Sequence, residues 1–197
     1  MMKLYGTAQS SAFRVHWMLK EMGAAYEQIP LDMAKGEHKQ AEFLALNPNG
    51  KVPTLVDGTF VVWESLAINR YLAEKYDQDL LGRTPEENAL IEQWSVWSLA
   101  HLGPACLTIY GQKWFGENTP EVNAKAMEMI QKLFGILDGA LVGKNYLVKE
   151  QFTLADINTG AAVATAIDDA GADISHYPHL QAWYKRITDR PSYQAIQ

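Results

Sequence analysis

The stretch that decides the reading of this chain is Asn47-Pro48-Asn49-Gly50-Lys51-Val52-Pro53-Thr54-Leu55-Val56-Asp57-Gly58-Thr59-Phe60-Val61-Val62-Trp63-Glu64-Ser65. Asp57-Gly58 lies between two short apolar runs, which is a strong local signal for a β-hairpin. The second run leads directly into Ser65-Leu66-Ala67-Ile68-Asn69-Arg70-Tyr71-Leu72, where apolar residues recur at helical spacing. A helix beginning at Ser65 leaves its first backbone N–H groups without intrahelical acceptors and with partial positive charge, so it favours a carboxylate ligand. Pro53 removes one donor from the strand it heads, which places it at a strand start or an edge. An edge backbone beside an anion-binding helix end suits a small bound peptide.

Outward from this stretch, Lys3-Leu4-Tyr5 reads as a first strand and Gly6–Gln9 as a turn. Ser11–Met22 reads as a helix with Phe13, Trp17 and Leu19 inward and Gly23 as its stop, and Tyr26–Leu31 as a second strand. The polar loop Lys35-Gly36-Glu37-His38-Lys39 and a helical turn near Phe43-Leu44 precede the hairpin. This order predicts a small mixed sheet with helices on its faces, its first two strands parallel. The expected boundaries are a first domain over 1–76, a linker over 77–84 and an all-helical domain over 85–197. Within the last, Gly103-Pro104 should kink a helix running from Pro85 to about Trp114. Thr119-Pro120 opens another helix, with Met127, Ile130, Leu133, Phe134, Leu137 and Leu141 on its apolar face. Phe152-Thr153-Leu154-Ala155-Asp156-Ile157 has the spacing of a capping box closed by a hydrophobic staple. A last helix from Tyr177-Pro178 should stop before Pro191.

Bulk composition narrows the function classes. The 197 residues suffice for one large or two small domains, and 48% hydrophobic with 20% charged residues is ordinary for a globular protein. A formal net charge of -6 with no Lys/Arg block argues against nucleic-acid binding. Cys106 is the single cysteine, which excludes an intrachain disulfide, a Cys-x-x-Cys redox pair and a cysteine-rich zinc site. No stretch has the apolar length of a membrane span, and no apolar signal region follows Met1, so the expectation is a cytoplasmic protein without membrane or nucleic-acid partners.

A small α/β domain followed by a helical one, with these motifs, resembles the cytosolic glutathione transferase family. The segment 47–53 with Glu64-Ser65-Leu66-Ala67-Ile68 is similar to that family's glutathione-binding segment. Phe152–Asp156 resembles its folding cap, and Leu180-Gln181-Ala182-Trp183 with Arg190-Pro191 its C-terminal stretch. Gly36-Glu37-His38-Lys39-Gln40, Phe43–Pro48 and the position of Ser10 look most like the phi class or its bacterial relatives. The resemblance implies a thioredoxin-like first domain, glutathione as co-substrate and no permanently bound cofactor or metal. It further implies a homodimer and a small hydrophobic electrophile as the second substrate.

The chemistry so implied is thiolate addition. A thiol of pKa about 8.5 is only about 3% ionised at pH 7. Lowering that pKa by about two units needs about 2.7 kcal/mol. A hydroxyl donor contributes about 1.5–3 kcal/mol to a charged partner, and a helix end about 0.3–1 kcal/mol. One serine and one helix end therefore suffice. By the family's spacing to Arg14, Ser10 is expected to stabilise the thiolate, with Ser11 beside it. Ser65 and Glu64 are expected to meet the γ-glutamyl end. Val52, ahead of a cis bond to Pro53, is expected to pair with the cysteinyl unit. His38, Lys39 and Lys51 are expected near the glycyl carboxylate, although Lys51 departs from the glutamine usual in the phi class. Ala12, Phe13, His101, Tyr110 and Trp114 are candidate walls for the electrophile. Cys106 and Asp156 read as structural, and Trp94 as core or interface. Hydroperoxide reduction is a related activity, and a non-catalytic carrier or assembly module is the competing class.

Overall fold

The computed structural model describes residues 1–111, 116, 119–148 and 150–196. They form two compact units, Met1–Gln78 with Arg190–Gln197, and Asp79–Asp189. The return of residues 190–196 to the first unit departs from the sequence reading, which kept them in the helical part. Its cause is local chemistry on the first helix. Arg190 and Ser192 both bind the Glu21 carboxylate, the Trp17 indole N–H donates to Ser192 Oγ at 3.2 Å, and the Tyr193 ring sits edge-on to Trp17 and Phe13.

In the first unit, β1 (Met2–Tyr5) leads to α1 (Phe13–Glu21) and β2 (Tyr26–Ile29); α2 (Ala41–Leu44), β3 (Thr54–Asp57), β4 (Phe60–Trp63) and α3 (Ser65–Tyr76) follow. The sheet order is β2-β1-β3-β4, with β1 parallel to β2 and the other two pairs antiparallel. This is the thioredoxin-like arrangement expected from the sequence. Leu4 and Leu55 of the sheet, Val15, Trp17 and Leu19 of α1, and Ile68 and Leu72 of α3 make its dry core. The hairpin closes one residue later than the dipeptide suggested. Asp57 is still paired with Phe60, so Gly58 and Thr59 form the loop, and Gly58 supplies the left-handed φ of 63°.

Asp57 Oδ2 accepts from the Tyr71 hydroxyl at 2.7 Å, the Lys75 ammonium at 2.7 Å and the Tyr76 hydroxyl at 2.5 Å. Lys75 and Tyr76 hold its carboxyl at about 2, below the ordinary 3.8. Because the folded pKa is depressed, the unfolded chain binds more protons in this window. The cluster's contribution to stability is therefore whole above the unfolded value and is lost as pH falls toward 2. Urea midpoints of the native protein and Asp57→Asn, taken at pH 7 and pH 3, should show a gap at pH 7 that narrows at pH 3.

The second unit holds α4 (Pro85–Trp97), a π-helical turn (Ser98–Leu102), α5 (Gly103–Tyr110), α6 (Pro120–Ala140), α7 (Leu154–Ala164) and α8 (Pro178–Thr188). This π-helical turn stands immediately before Gly103-Pro104, the place where a kink was expected because Pro104 has no N–H to donate back along the helix. The four-residue helix α9 (Pro191–Gln194), which the sequence reading missed, belongs to the first unit. On α6, Ala126 is buried while the expected Met127 is half-buried. Asp156 is fully buried, and four donors converge on it: Thr153 N–H at 2.9 Å, Thr153 Oγ1 at 3.1 Å, Leu147 N–H at 3.0 Å and Trp183 Nε1 at 2.8 Å. Burial pushes its carboxyl up against those donors. Cys106 is buried, and burial pushes its thiol up to about 12. Both therefore have the structural character expected of them.

Candidate functional site

One end of the sheet gathers the residues singled out by sequence. Tyr5, Thr54 and Trp63 are opposite one another across β1, β3 and β4. Gly6, Pro53 and Glu64 are therefore the first residues beyond the same edge of three neighbouring strands. Gly6 has φ 120°, and a side chain there would press to 3.0 Å from the Ala12 and Val52 Cβ atoms and 3.5 Å from Ser10 Oγ. Only glycine allows this conformation and this closeness. Ser10, Ala12 and Val52 are thus brought around one backbone atom.

The serines precede α1 rather than beginning it. Ser10 N–H donates to Thr7 C=O at 3.1 Å, and Phe13 N–H to Ser10 C=O at 2.9 Å. Ser10 Oγ donates to Thr7 C=O at 2.7 Å and accepts the Ala12 N–H at 3.1 Å. Ser11 is exposed, and its Oγ donates to Val52 C=O at 2.8 Å. This serine spans 41 residues to meet the backbone that the sequence reading assigned to the cysteinyl unit. The Val52–Pro53 peptide bond is cis. The ladder starts at Thr54, so the Val52 backbone lies outside it.

Glu64 is the one non-glycine residue with positive φ among those described, at 73°. Holding a side-chain-bearing residue there costs about 1–3 kcal/mol and is a mark of functional positions. It turns the chain sharply from β4 into α3, whose first residue, Ser65, is buried. Ile68 N–H meets Glu64 C=O at 2.9 Å. The N–H groups ahead of it on α3 have no acceptor within the helix.

The loop before β3 is shaped by a residue whose role the sequence reading missed. Asn47 is buried; its Nδ2 donates to Lys51 C=O at 2.7 Å and to Thr54 Oγ1 at 3.1 Å, while its Oδ1 accepts Asn49 N–H at 3.0 Å. The turn so formed brings Gly50 against His38 C=O and Lys39 Nζ, where a Cβ would meet them at 2.8 and 3.0 Å. Lys39 and Lys51 are exposed, so two ammonium groups flank this loop. Asn69 Nδ2 on α3 donates to Arg14 C=O on α1 at 3.1 Å and ties the two helices that begin at the site.

The candidate electrophile walls are divided between the two units. Ala12 is fully buried beside Gly6, and Phe13 packs its ring on Trp17 and Tyr193 within the first unit. His101 and Tyr110 belong to the second unit, where His101 is exposed and adjoins Trp97, itself edge-on to Trp94. Trp114 lies outside the described residues.

Comparison with known proteins gives the family. Residues 1–74 match the model of the glutathione S-transferase N-terminal domain, and residues 98–191 that of the C-terminal domain. Glutathione S-transferase 3 of Zea mays is 36% identical, over 98% of this chain and 91% of its own length. The chain belongs to the glutathione S-transferase family. Glutathione S-transferase F9 of Arabidopsis thaliana is 35% identical over 98% of the chain and 94% of its own. The structure of glutathione S-transferase-I bound with lactoylglutathione superposes with a TM-score of 0.88 at 31% identity, covering 99% of this chain and 97% of that one. The likeness to phi-class glutathione S-transferases, read first from Gly36–Gln40 and Phe43–Pro48, extends to these plant relatives.

Proposed function

We propose that this glutathione S-transferase binds glutathione along residues 51–65 and joins its thiolate to small, mostly hydrophobic electrophiles, with Ser10 Oγ donating to the sulfur. The observation that carries this reading is the gathering of Ser10 and Val52 around Gly6, at the sheet end from which α3 starts.

In this reading Ser65 and the first N–H groups of α3 hold the γ-glutamyl carboxylate, and the Glu64 carboxylate faces the α-amino group. The Val52 backbone, free of the ladder, pairs with the cysteinyl unit as an added strand would. His38, Lys39 and Lys51 attract the glycyl carboxylate. At the sulfur, the Ser10 hydroxyl leaves Thr7 C=O and turns to the thiolate. Giving up a neutral hydrogen bond costs about 0.5–1.5 kcal/mol, and a charged one returns about 1.5–3 kcal/mol, so the exchange is favourable. The Ala12 N–H stays on Ser10 Oγ and polarises its hydroxyl further. The thiolate pair then attacks an electrophilic carbon. With an aryl halide the S–C bond forms as halide leaves with its bonding pair; with an isothiocyanate the nitrogen takes up a proton. With a hydroperoxide the thiolate attacks the outer oxygen, the O–O bond breaks as the alkoxide leaves and takes a proton, and a second glutathione thiol converts the resulting sulfenic acid to glutathione disulfide and water.

The protein acts as a cytoplasmic detoxifying homodimer in this reading. Leu90, Val96, Leu99 and Leu107, exposed on α4, α5 and the turn between them, offer apolar surface to a second copy. No described helix is long and apolar enough to cross a membrane. A panel of aryl halides, isothiocyanates and hydroperoxides with glutathione tests the catalytic claim. Turnover of at least one class, absent without glutathione, is expected. Glutathione binding with no turnover of any class would favour a carrier instead.

A further inference from the structure

We propose that His16 is a positioning residue for the thiolate site, holding through Gly6 the turn that carries Ser10. The proposal rests on the reading of Ser10 given above and assigns it a support that its own sequence neighbourhood does not reveal.

His16 sits on α1, faces the core and is only 1% exposed. Its ring spans two backbone elements. Nε2 lies 3.2 Å from Gly6 C=O, and Nδ1 lies 2.7 Å from the Tyr26 hydroxyl on β2. A carbonyl only accepts, so Nε2 carries the proton; Nδ1 is then an acceptor, and the Tyr26 O–H donates to it. One neutral tautomer satisfies both partners. The charged and titratable groups facing the ring are Tyr26 from β2 and Lys20 from α1. Burial, and secondarily Lys20, hold its pKa below the ordinary 6.5 despite the Gly6 carbonyl. The neutral form is therefore the one that meets a near-neutral working pH.

The consequence reaches Ser10 by two peptide units. Gly6 N–H is fixed to Ile29 C=O at 3.0 Å, and its C=O is fixed by His16. The next carbonyl along the chain is that of Thr7, which receives both the N–H and the hydroxyl of Ser10. Gly6, at φ 120°, has the broad backbone freedom of glycine, so its fixed geometry depends on such tethers. Releasing the Gly6 carbonyl lets the Gly6–Thr7 peptide rotate. Thr7 C=O, and with it Ser10 Oγ, then leaves the spot that borders Ala12 and Val52.

The test is the pKa of the glutathione thiol in the binary complex, read from thiolate absorbance across pH, with the glutathione Kd measured alongside. Asn is too short to bring its amide to Gly6, whereas Gln places its amide nitrogen near the Nε2 position. His16→Asn should raise the bound thiol pKa by about half a unit, leaving about threefold less thiolate on the acid limb. His16→Gln should restore it, and Kd should change less than the pKa in both. Ser10→Ala serves as the reference. If it shifts the thiol pKa and His16→Asn does not, or if Gln is no better than Asn, the positioning role is overturned. If Ser10→Ala itself has no effect, the Ser10 reading fails instead. A measurement on the native protein covers the case of variants that do not fold. The nitrogen resonances of His16 should show the Nε2–H tautomer, with a shift that follows the thiol titration; an Nδ1–H tautomer overturns the proposal.

Discussion

Ser10→Ala should raise the pKa of the bound glutathione thiol by about one unit and lower kcat/KM about tenfold on the acid limb of its pH profile. The size follows from the exchange at Thr7. A charged hydrogen bond of about 1.5–3 kcal/mol, less about 0.5–1.5 kcal/mol for the bond given up, leaves roughly one pKa unit at 1.36 kcal/mol per unit. The rest of the depression comes from the end of α1 and survives the substitution. Glutathione should still bind, because the α3 N-terminus and the lysines are untouched. Ser11→Ala separates the two hydroxyls. Ser11 gives its proton to Val52 C=O at 2.8 Å, so its loss should alter the glutathione Kd and leave the thiol pKa in place. Titration of thiolate absorbance in each binary complex measures both effects. An unchanged thiol pKa in Ser10→Ala, with a shift in Ser11→Ala, would reverse the assignment.

The second large effect is on stability. Asp156→Asn should lower the urea midpoint of the helical unit by about 1–2 M, and Asp156→Ala by more. The carboxylate gathers Thr153 N–H, Thr153 Oγ1, Leu147 N–H and Trp183 Nε1 in a site without water access. Alanine leaves all four donors without that acceptor, each at about 1–3 kcal/mol before relaxation. Asparagine keeps one acceptor oxygen for Leu147 and Trp183, but turns an amide NH2 toward the Thr153 donors. A loss of about 3 kcal/mol, at a urea slope of about 2 kcal/mol/M, gives the expected midpoint change. Equilibrium unfolding followed by Trp fluorescence reads it, since Trp183 is a partner in the cluster. A midpoint equal to that of the native protein would contradict this role for Asp156.

The features legible in the sequence are those whose causes are local. Asp57-Gly58 marked the hairpin, Ser65 the start of α3 and the Thr153/Asp156 pair the cap of α7, because turn and cap chemistry act within a few residues. The parallel β1–β2 pair followed from the strand–helix–strand order. Contacts distant in sequence were not legible. Nothing near Asn47 indicates that its amide will clamp Lys51 and Thr54, although Asn47-Pro48 stood out as a motif. His16 looks like a polar interruption of an apolar face until Gly6 and Tyr26 are seen on its two nitrogens. Phe13 was read as an inward residue of α1 beside Trp17, but Tyr193, at the far end of the chain, gave no sign of being its other ring neighbour. Glu21 gave no sign that it would draw Arg190 and Ser192 back to the first unit. Ser11 was placed inside α1, but Ser10 Oγ takes the Ala12 N–H and holds residues 10–12 in a turn ahead of it.

A crystal structure of the protein with glutathione examines the central claim directly. The sulfur should lie within hydrogen-bond reach of Ser10 Oγ, with that hydroxyl turned away from Thr7 C=O. The γ-glutamyl carboxylate should rest on Ser65 and the first N–H groups of α3. A sulfur bound to Ser11 alone, or a tripeptide whose carboxylates avoid residues 51–65, would contradict it.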